Sequence, residues 1–218
     1  GIMLENVSDR LLLKGQAHYQ AASKVAKLRL DMLALAGSIG VAMTSGILIG
    51  IGELPRERVD SLIALRDVHH RWGNIQEIII QNFRAKESTS MRSAPEPSTL
   101  DMLRTQATAR LLMGPSMNIE SPPNLNEPEF HRYLEAGIND WGGISPLTKD
   151  FINPEAPWPE IDILQRVTQE RGYILRERAA LFPDYVIKPP SGLSTAVGDR
   201  LRAMTDDDGL IRSELERC

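Results

Sequence analysis

The segment Val41-Ala42-Met43-Thr44-Ser45-Gly46-Ile47-Leu48-Ile49-Gly50-Ile51-Gly52-Glu53-Leu54-Pro55 opens apolar, passes through glycines and closes on a proline. Val41 to Ile49 is predicted to be a strand covered on both faces, because almost none of its side chains suits water. Pro55 then opens a helix bearing Val59, Leu62, Ile63 and Val68, which Gly73 ends. A buried strand, a glycine turn and an amphipathic helix make one βα unit of a parallel sheet.

Working outward, the same alternation recurs. Before this unit, Ile2 to Leu4 is predicted as a strand and about Ala21 to Ala36 as a helix, with Val25, Leu28, Met32 and Leu35 on its apolar face and Gly37 as its cap. After it come a strand at Ile75 to Gln81 and a helix from about Thr99 to Met113, separated by a Ser/Pro-rich loop and stopped by Gly114-Pro115. A fourth unit has a weak strand at Ser116 to Ile119 and a short helix from about Glu127 to Ala136. The fifth has a strand at Ile138 to Trp141, the long loop Gly142 to Pro157, and a helix from Pro159 to about Arg171. A complete (β/α)₈ barrel takes eight units and typically ~250 residues. Five units within about 172 residues predict the C-terminal part of such a barrel over residues 1–172, with residues 173–218 as an irregular, helical extension packed on it.

Composition narrows the function. Of the 218 residues 42% are hydrophobic, enough to bury a core, and the charge balance, 25 − 29 = −4, mixes both signs along the chain. A basic face for nucleic acid is therefore not expected. The longest uncharged apolar run, roughly Val41 to Gly52, is about half of the ~20 residues that span a bilayer, so no membrane segment is expected. Gly1 to Glu5 has neither a basic n-region nor an Arg/Ser-rich stretch, which predicts no leader and a cytoplasmic location. The single cysteine, Cys218, excludes a disulfide framework or an all-thiolate metal site within the chain.

Three segments at predicted strand ends carry candidate chemistry. Gly46 to Glu53 sits where barrel enzymes place their sites, and its glycines admit a ligand close to the backbone. The plainer reading is a tight turn, with Glu53 complementing the next helix dipole. Gln81-Asn82 offers amides that donate and accept, suited to a uracil-like edge, and Glu5-Asn6 is comparable; loop capping is the alternative. Asn139-Asp140-Trp141-Gly142-Gly143-Ile144-Ser145-Pro146, running on through Asn153-Pro154-Glu155-Ala156-Pro157-Trp158-Pro159, is the densest. An acid there, Asp140 or Glu155, is a candidate for proton transfer, against a capped surface loop with Trp158 as its packing anchor. His69-His70 and Asp206 to Asp208 lack metal-ligand spacing.

On Ala136 to Pro146 and Asn153 to Pro159, the chain resembles the radical S-adenosylmethionine half of FO synthases, the CofG type, which make the 8-hydroxy-5-deazaflavin precursor of coenzyme F(420). The resemblance extends to Gly1-Ile2-Met3-Leu4-Glu5-Asn6-Val7-Ser8 and to Gly46 to Glu53, which is similar to the family's GxIxGxxE motif with Leu48 in place of Ile. It implies a radical SAM (β/α)₈ TIM-type barrel, of which this chain supplies about strands four to eight. By the same resemblance Glu5, Gly46, Leu48, Gly50 and Glu53 bind S-adenosylmethionine, and Asn6, Gln81, Asn82, Asn139 and Asp140 bind substrate.

The implied reaction is a lyase step: a 4Fe-4S cluster cleaves S-adenosylmethionine to a 5′-deoxyadenosyl radical. The radical abstracts hydrogen from a hydroxybenzyl-ribityluracil adduct, formed from tyrosine and 5-amino-6-ribitylaminouracil, which then cyclises with loss of ammonia. The implied partner is a CofH-type protein or fused half. The family's CxxxCxxC cluster motif has no counterpart here, so cluster ligands are expected outside this chain and the chain alone is expected to be inactive. Two alternatives stay open: a clusterless, non-catalytic scaffold, and another radical enzyme of the CofH or menaquinone-pathway branch.

Overall fold

Three parallel strands, β1 (Met43–Ile49), β2 (Ile75–Asn82) and β3 (Asn118–Glu120), lie side by side in chain order. The computed structural model describes residues 1–126, 128–145 and 147–212. Two further segments extend the sheet through single parallel bridges, Glu5 to Ile47 on the β1 side and Glu120 to Asp140 on the β3 side. The Ile2 N–H donates to the Thr44 carbonyl and the Asn139 N–H to the Ile119 carbonyl, so both predicted outer strands pair where expected, though only briefly. Five parallel segments thus follow one another in the order of the sequence.

The helices α1 (Ala26–Ser38), α2 (Pro55–Trp72) and α3 (Thr99–Met113) connect them. Gly73 ends α2 at φ 63°, and Ser98 opens α3 by accepting from the Asp101 N–H while Asp101 returns the bond. Side-chain alternation assigns the two faces of the sheet. Ile47, Ile49, Ile78, Ile80 and Ile119 are buried in one core with Leu62 and Leu65 of α2 and Met102 and Ala109 of α3. Each such side chain contributes about 1.5–3 kcal/mol by leaving water. Thr44, Leu48, Ile79 and Gln81 alternate with them and are only half-buried. The largely apolar β1 is therefore fully covered on one face rather than on both.

Three local expectations change. Gly37 lies inside α1, where an added Cβ would stand 2.5 Å from Trp72 Cβ; the turn belongs instead to Gly40, at φ 67°. Leu28, Met32 and Leu35 are exposed, while Ala26, Arg29 and Leu33 face the core. Arg29 explains the rotation, since its guanidinium donates to the carbonyls of Ser23 (2.6 Å) and Met3 and must point inward. The fourth helix is a 3₁₀ helix, Glu129–Ala136, and its predicted first residue Glu127 lies outside the described residues.

The remaining helices are α4 (Ile161–Glu170), α5 (Pro183–Ile187) and α6 (Thr195–Met204). Between α4 and α5 the chain crosses the amino-terminal end of the sheet. Gln76 anchors it there by donating to the Ala180 carbonyl (3.2 Å) and accepting from the Phe182 N–H (3.2 Å). The buried indole is Trp141, which donates to Thr168 Oγ1 and meets Phe130 edge-on, whereas Trp158 is half-buried. Among the described residues no helix is long and apolar enough to cross a membrane. Pro146 and Cys218 lie outside the described residues.

Candidate functional site at the carboxyl edge of the sheet

The turn after β1 is built around one carboxylate. Glu53 accepts from the N–H groups of Gly50 (2.9 Å) and Ile51 (2.8 Å) and from Arg58 Nε (2.7 Å). Its oxygens are thereby engaged within the turn they shape. Gly50 adopts φ 91°, and a Cβ there would come 2.5 Å from Pro97 Cδ of the loop after β2. Gly46 sits against β2, where a Cβ would meet the Ile79 carbonyl oxygen at 2.1 Å. Next to it in the same alternation, Leu48 is paired in register with Gln81. The Gln81 side chain is half-buried and makes no hydrogen bond among the described residues.

Glu5 lies beside this pair and holds the left-handed conformation, φ 64°, unusual for a residue with a side chain. Its carboxylate meets His18 Nε2 at 3.1 Å, Lys24 Nζ, and Arg29 Nη1 at 3.3 Å. Burial alone would raise its pKa. The bonds from His18 and Lys24 and the charges of Lys24 and Arg29 outweigh that and hold it at about 2. The next residue, Asn6, is 2% exposed; its Oδ1 accepts from the Ser8 N–H, and its Nδ2 has no partner among the described residues. Arg10 ties the following segment down by binding Glu57 through Nε (3.0 Å) and Nη2 (2.7 Å).

The loops after β2 and β3 are joined through amides. Asn82 Nδ2 donates to the Leu125 carbonyl (3.0 Å), and Asn124 Nδ2 donates to Asp150 Oδ2 (3.1 Å) and the Ala156 carbonyl (3.0 Å). Each residue is 4% exposed, yet Asn82 Oδ1 and Asn124 Oδ1 have no hydrogen-bond partner among the described residues. A buried acceptor left unpaired costs about 1–3 kcal/mol. Lys86 closes the group, donating to the Ile152 carbonyl (2.9 Å), Asn153 Oδ1 (2.8 Å) and Glu155 Oε1 (2.6 Å). Glu155 is thus an ion-pair partner on an exposed loop.

Asn139 and Asp140 stand apart from these groups. Asn139 is exposed near the start of β3, accepting from the Ile119 N–H (2.8 Å) and donating to Asn118 Oδ1 (2.9 Å). Asp140 receives Arg178 through Nε (2.5 Å) and Nη2 (2.9 Å), and its Oδ1 also accepts from the Gly142 N–H (2.7 Å). Arg178 reaches Glu77 as well, at 3.5 Å, and its guanidinium lies 3.8 Å from the Phe182 ring centroid. The carboxylates of Glu77, Glu120 and Asp140 come within 4.8 Å of one another, the kind of trio that also suits a cation. Burial, then the bond and charge of Glu77 and the charge of Asp140, push the Glu120 carboxyl up to about 9, so it carries a proton at neutral pH.

The structure therefore brings Glu5, Asn6, Gly46, Leu48, Gly50, Gln81 and Asn82 to one sheet edge, ties the loop of Glu155 to it through Lys86, and separates Asn139 and Asp140 from it. Sequence reasoning missed Glu77, Glu120, Arg178 and Lys86. For the glutamates a signal existed: each is an acid next to an isoleucine in a predicted strand or at its end.

An α/β protein with polar groups gathered at the carboxyl edge of a parallel sheet is the class these features define. No family model matches the chain. Over 212 residues, 97% of the chain, it is 44% identical to 63% of the 7,8-didemethyl-8-hydroxy-5-deazariboflavin synthase of Methanopyrus kandleri. It is 48% identical over 186 residues to the enzyme of the same name from Methanococcus aeolicus, 85% of the chain and 52% of that protein. The FO synthase of Nocardia farcinica is 43% identical over 217 residues, 98% of the chain but 25% of its own length. The chain is homologous, along most of its length, to part of these synthases, and spans 63%, 52% and 25% of the three.

Proposed function

We propose that this chain forms part of an FO synthase and contributes the carboxyl-edge site at which the hydroxybenzyl-ribityluracil adduct is converted to 7,8-didemethyl-8-hydroxy-5-deazariboflavin. The carrying observation is the 43–48% identity to proteins of that name, which extends over 85–98% of the chain. On this reading the five parallel segments are the last five strands of a radical SAM barrel, residues 173–218 are its extension, and a CofH-type protein or fused half is the partner.

The groups on the page suit S-adenosylmethionine. Glu5, ringed by His18, Lys24 and Arg29, offers both signs of charge to a zwitterionic amino acid and an acceptor to ribose hydroxyls. Gly46 lets β1 lie close against the Ile79 carbonyl, which sets the register that places Leu48 beside Gln81. When bound, that cofactor supplies the hydrogen-abstracting chemistry. The 4Fe-4S cluster does not fit this chain, whose only cysteine is Cys218. The protein's own part is orientation. Gln81 and Asn82 present amides to the uracil edge, and the Glu53 turn and the Arg10–Glu57 pair fix the loops around it. Proton transfer on ammonia loss is assigned to no single residue of the edge, since the carboxylates of Asp140 and Glu155 are already paired with Arg178 and Lys86.

The coding DNA upstream of Gly1 tests the assignment. An in-frame CxxxCxxC supports it; an initiator just before Gly1, with no such motif, overturns it in favour of a clusterless scaffold.

A further inference from the structure

We propose that residues 150–156 form a lid on the carboxyl edge of the sheet, latched by Lys86 and Asn124, and that Asn82 and Asn124 receive N–H groups of the substrate under it. The ligand's identity rests on the preceding reading; the latch does not.

The segment is built to move as a unit. Asp150 Oδ1 accepts from the N–H groups of Ile152 (2.8 Å) and Asn153 (3.1 Å), and the Ala156 N–H donates to the Asn153 carbonyl (2.9 Å). The segment therefore carries its own turn. It is fastened from outside at two points: Lys86 grips Ile152, Asn153 and Glu155, and Asn124 grips Asp150 and Ala156. Its tip, Phe151 and Ile152, is 79% and 75% exposed, so the apolar tip adds little to the closed position. What closure buries is polar. Asn124 lies directly against the segment, and Asn82 is joined to the adjacent Leu125 carbonyl, yet the free oxygen of each amide is shut away from water without a donor. Closure over an empty site strands these two acceptors; closure over a ligand with N–H groups satisfies them. A uracil ring bearing amino groups has such donors. The same ligand is thus held by the amides and holds the lid shut.

Hydrogen–deuterium exchange of this chain, read on peptides covering 151–156, tests both halves. In Lys86→Met the lid peptides should exchange about tenfold faster than in the wild type, while β1 and β2 peptides are unchanged. Glu155→Gln, which keeps the two carbonyl contacts, should fall between them. Anaerobic 5-amino-6-ribitylaminouracil at about ten times its dissociation constant should slow wild-type lid exchange by roughly tenfold, and should lose that effect in Asn82→Ala. Unchanged lid exchange in Lys86→Met overturns the latch. A probe that binds by calorimetry without slowing the lid overturns the coupling but leaves the proposed function standing. A probe that does not bind at all overturns the receiving role of Asn82 and Asn124 for the uracil ring.

Discussion

Removing Arg178 should be strongly destabilising. Its side chain retains 18% of its exposure, and the partners Asp140 and Glu77 retain 13% and 7%. In Arg178→Met the aliphatic volume largely survives, but two buried carboxylates lose their counter-charge. Breaking a buried pair in this one-sided way costs about 3–5 kcal/mol, because the orphaned charge stays buried. Loss of the guanidinium from the Phe182 ring adds about 1 kcal/mol. The same change leaves the two bonds of Gln76 to hold the segment before α5 on the amino-terminal end of the sheet. Urea unfolding followed by circular dichroism should show a loss of about 3 kcal/mol or more. In Asp140→Asn/Arg178→Met, much of that loss should be absent relative to the sum of the single changes, since the pair is removed together. A loss below about 1 kcal/mol, or strictly additive single changes, would refute the claim that Arg178 holds Asp140 and the tail.

Two pH effects follow from carboxyls displaced in opposite directions. Glu120 is raised from 4.5 to about 9, so its contribution to stability is full below pH 4.5 and lost as pH rises toward 9; Glu120→Gln should flatten that slope in urea midpoints taken across the range. Glu5 is lowered from 4.5 to about 2, so its contribution is present above 4.5 and lost as pH falls toward 2; Glu5→Gln should remove part of the acid limb of the same profile. Gly50→Ala imposes a side chain at φ 91° against Pro97 and should lower stability by about 1–3 kcal/mol, measured as a shift in urea midpoint. An unchanged midpoint would mean that the loop after β2 does not press on this turn.

The elements most legible in the sequence were those with a complete local code. For α2, Pro55 and Gly73 mark both ends, and for α3, Ser98, Asp101 and Gly114 do the same. The outer strands were harder: Ile2 to Leu4 and Ile138 to Trp141 pair on one side only, so apolar composition predicts a longer strand than the single bridges at Glu5 and Asp140. In α1 the apolar spacing pointed to the wrong face because Arg29, a residue that periodicity assigns to solvent, is drawn inward by two carbonyls and Glu5. The candidate site was legible where it is local to one turn, as at Gly46 to Glu53. It was not legible where partners are distant in the chain, as with Arg178 and Asp140, 38 residues apart, or Lys86 and Glu155, 69 apart. Nothing in the Asn139-Asp140 motif itself shows that its acid is already engaged.

The most direct measurement joins this chain to a segment carrying a CxxxCxxC motif, reconstitutes the cluster, and follows FO fluorescence from the hydroxybenzyl-ribityluracil adduct with S-adenosylmethionine. FO should form, and Gln81→Ala should reduce it by about tenfold or more while S-adenosylmethionine cleavage persists. A loaded cluster that cleaves S-adenosylmethionine but yields no FO, or FO formation indifferent to Gln81, would contradict the assignment of this edge as the site.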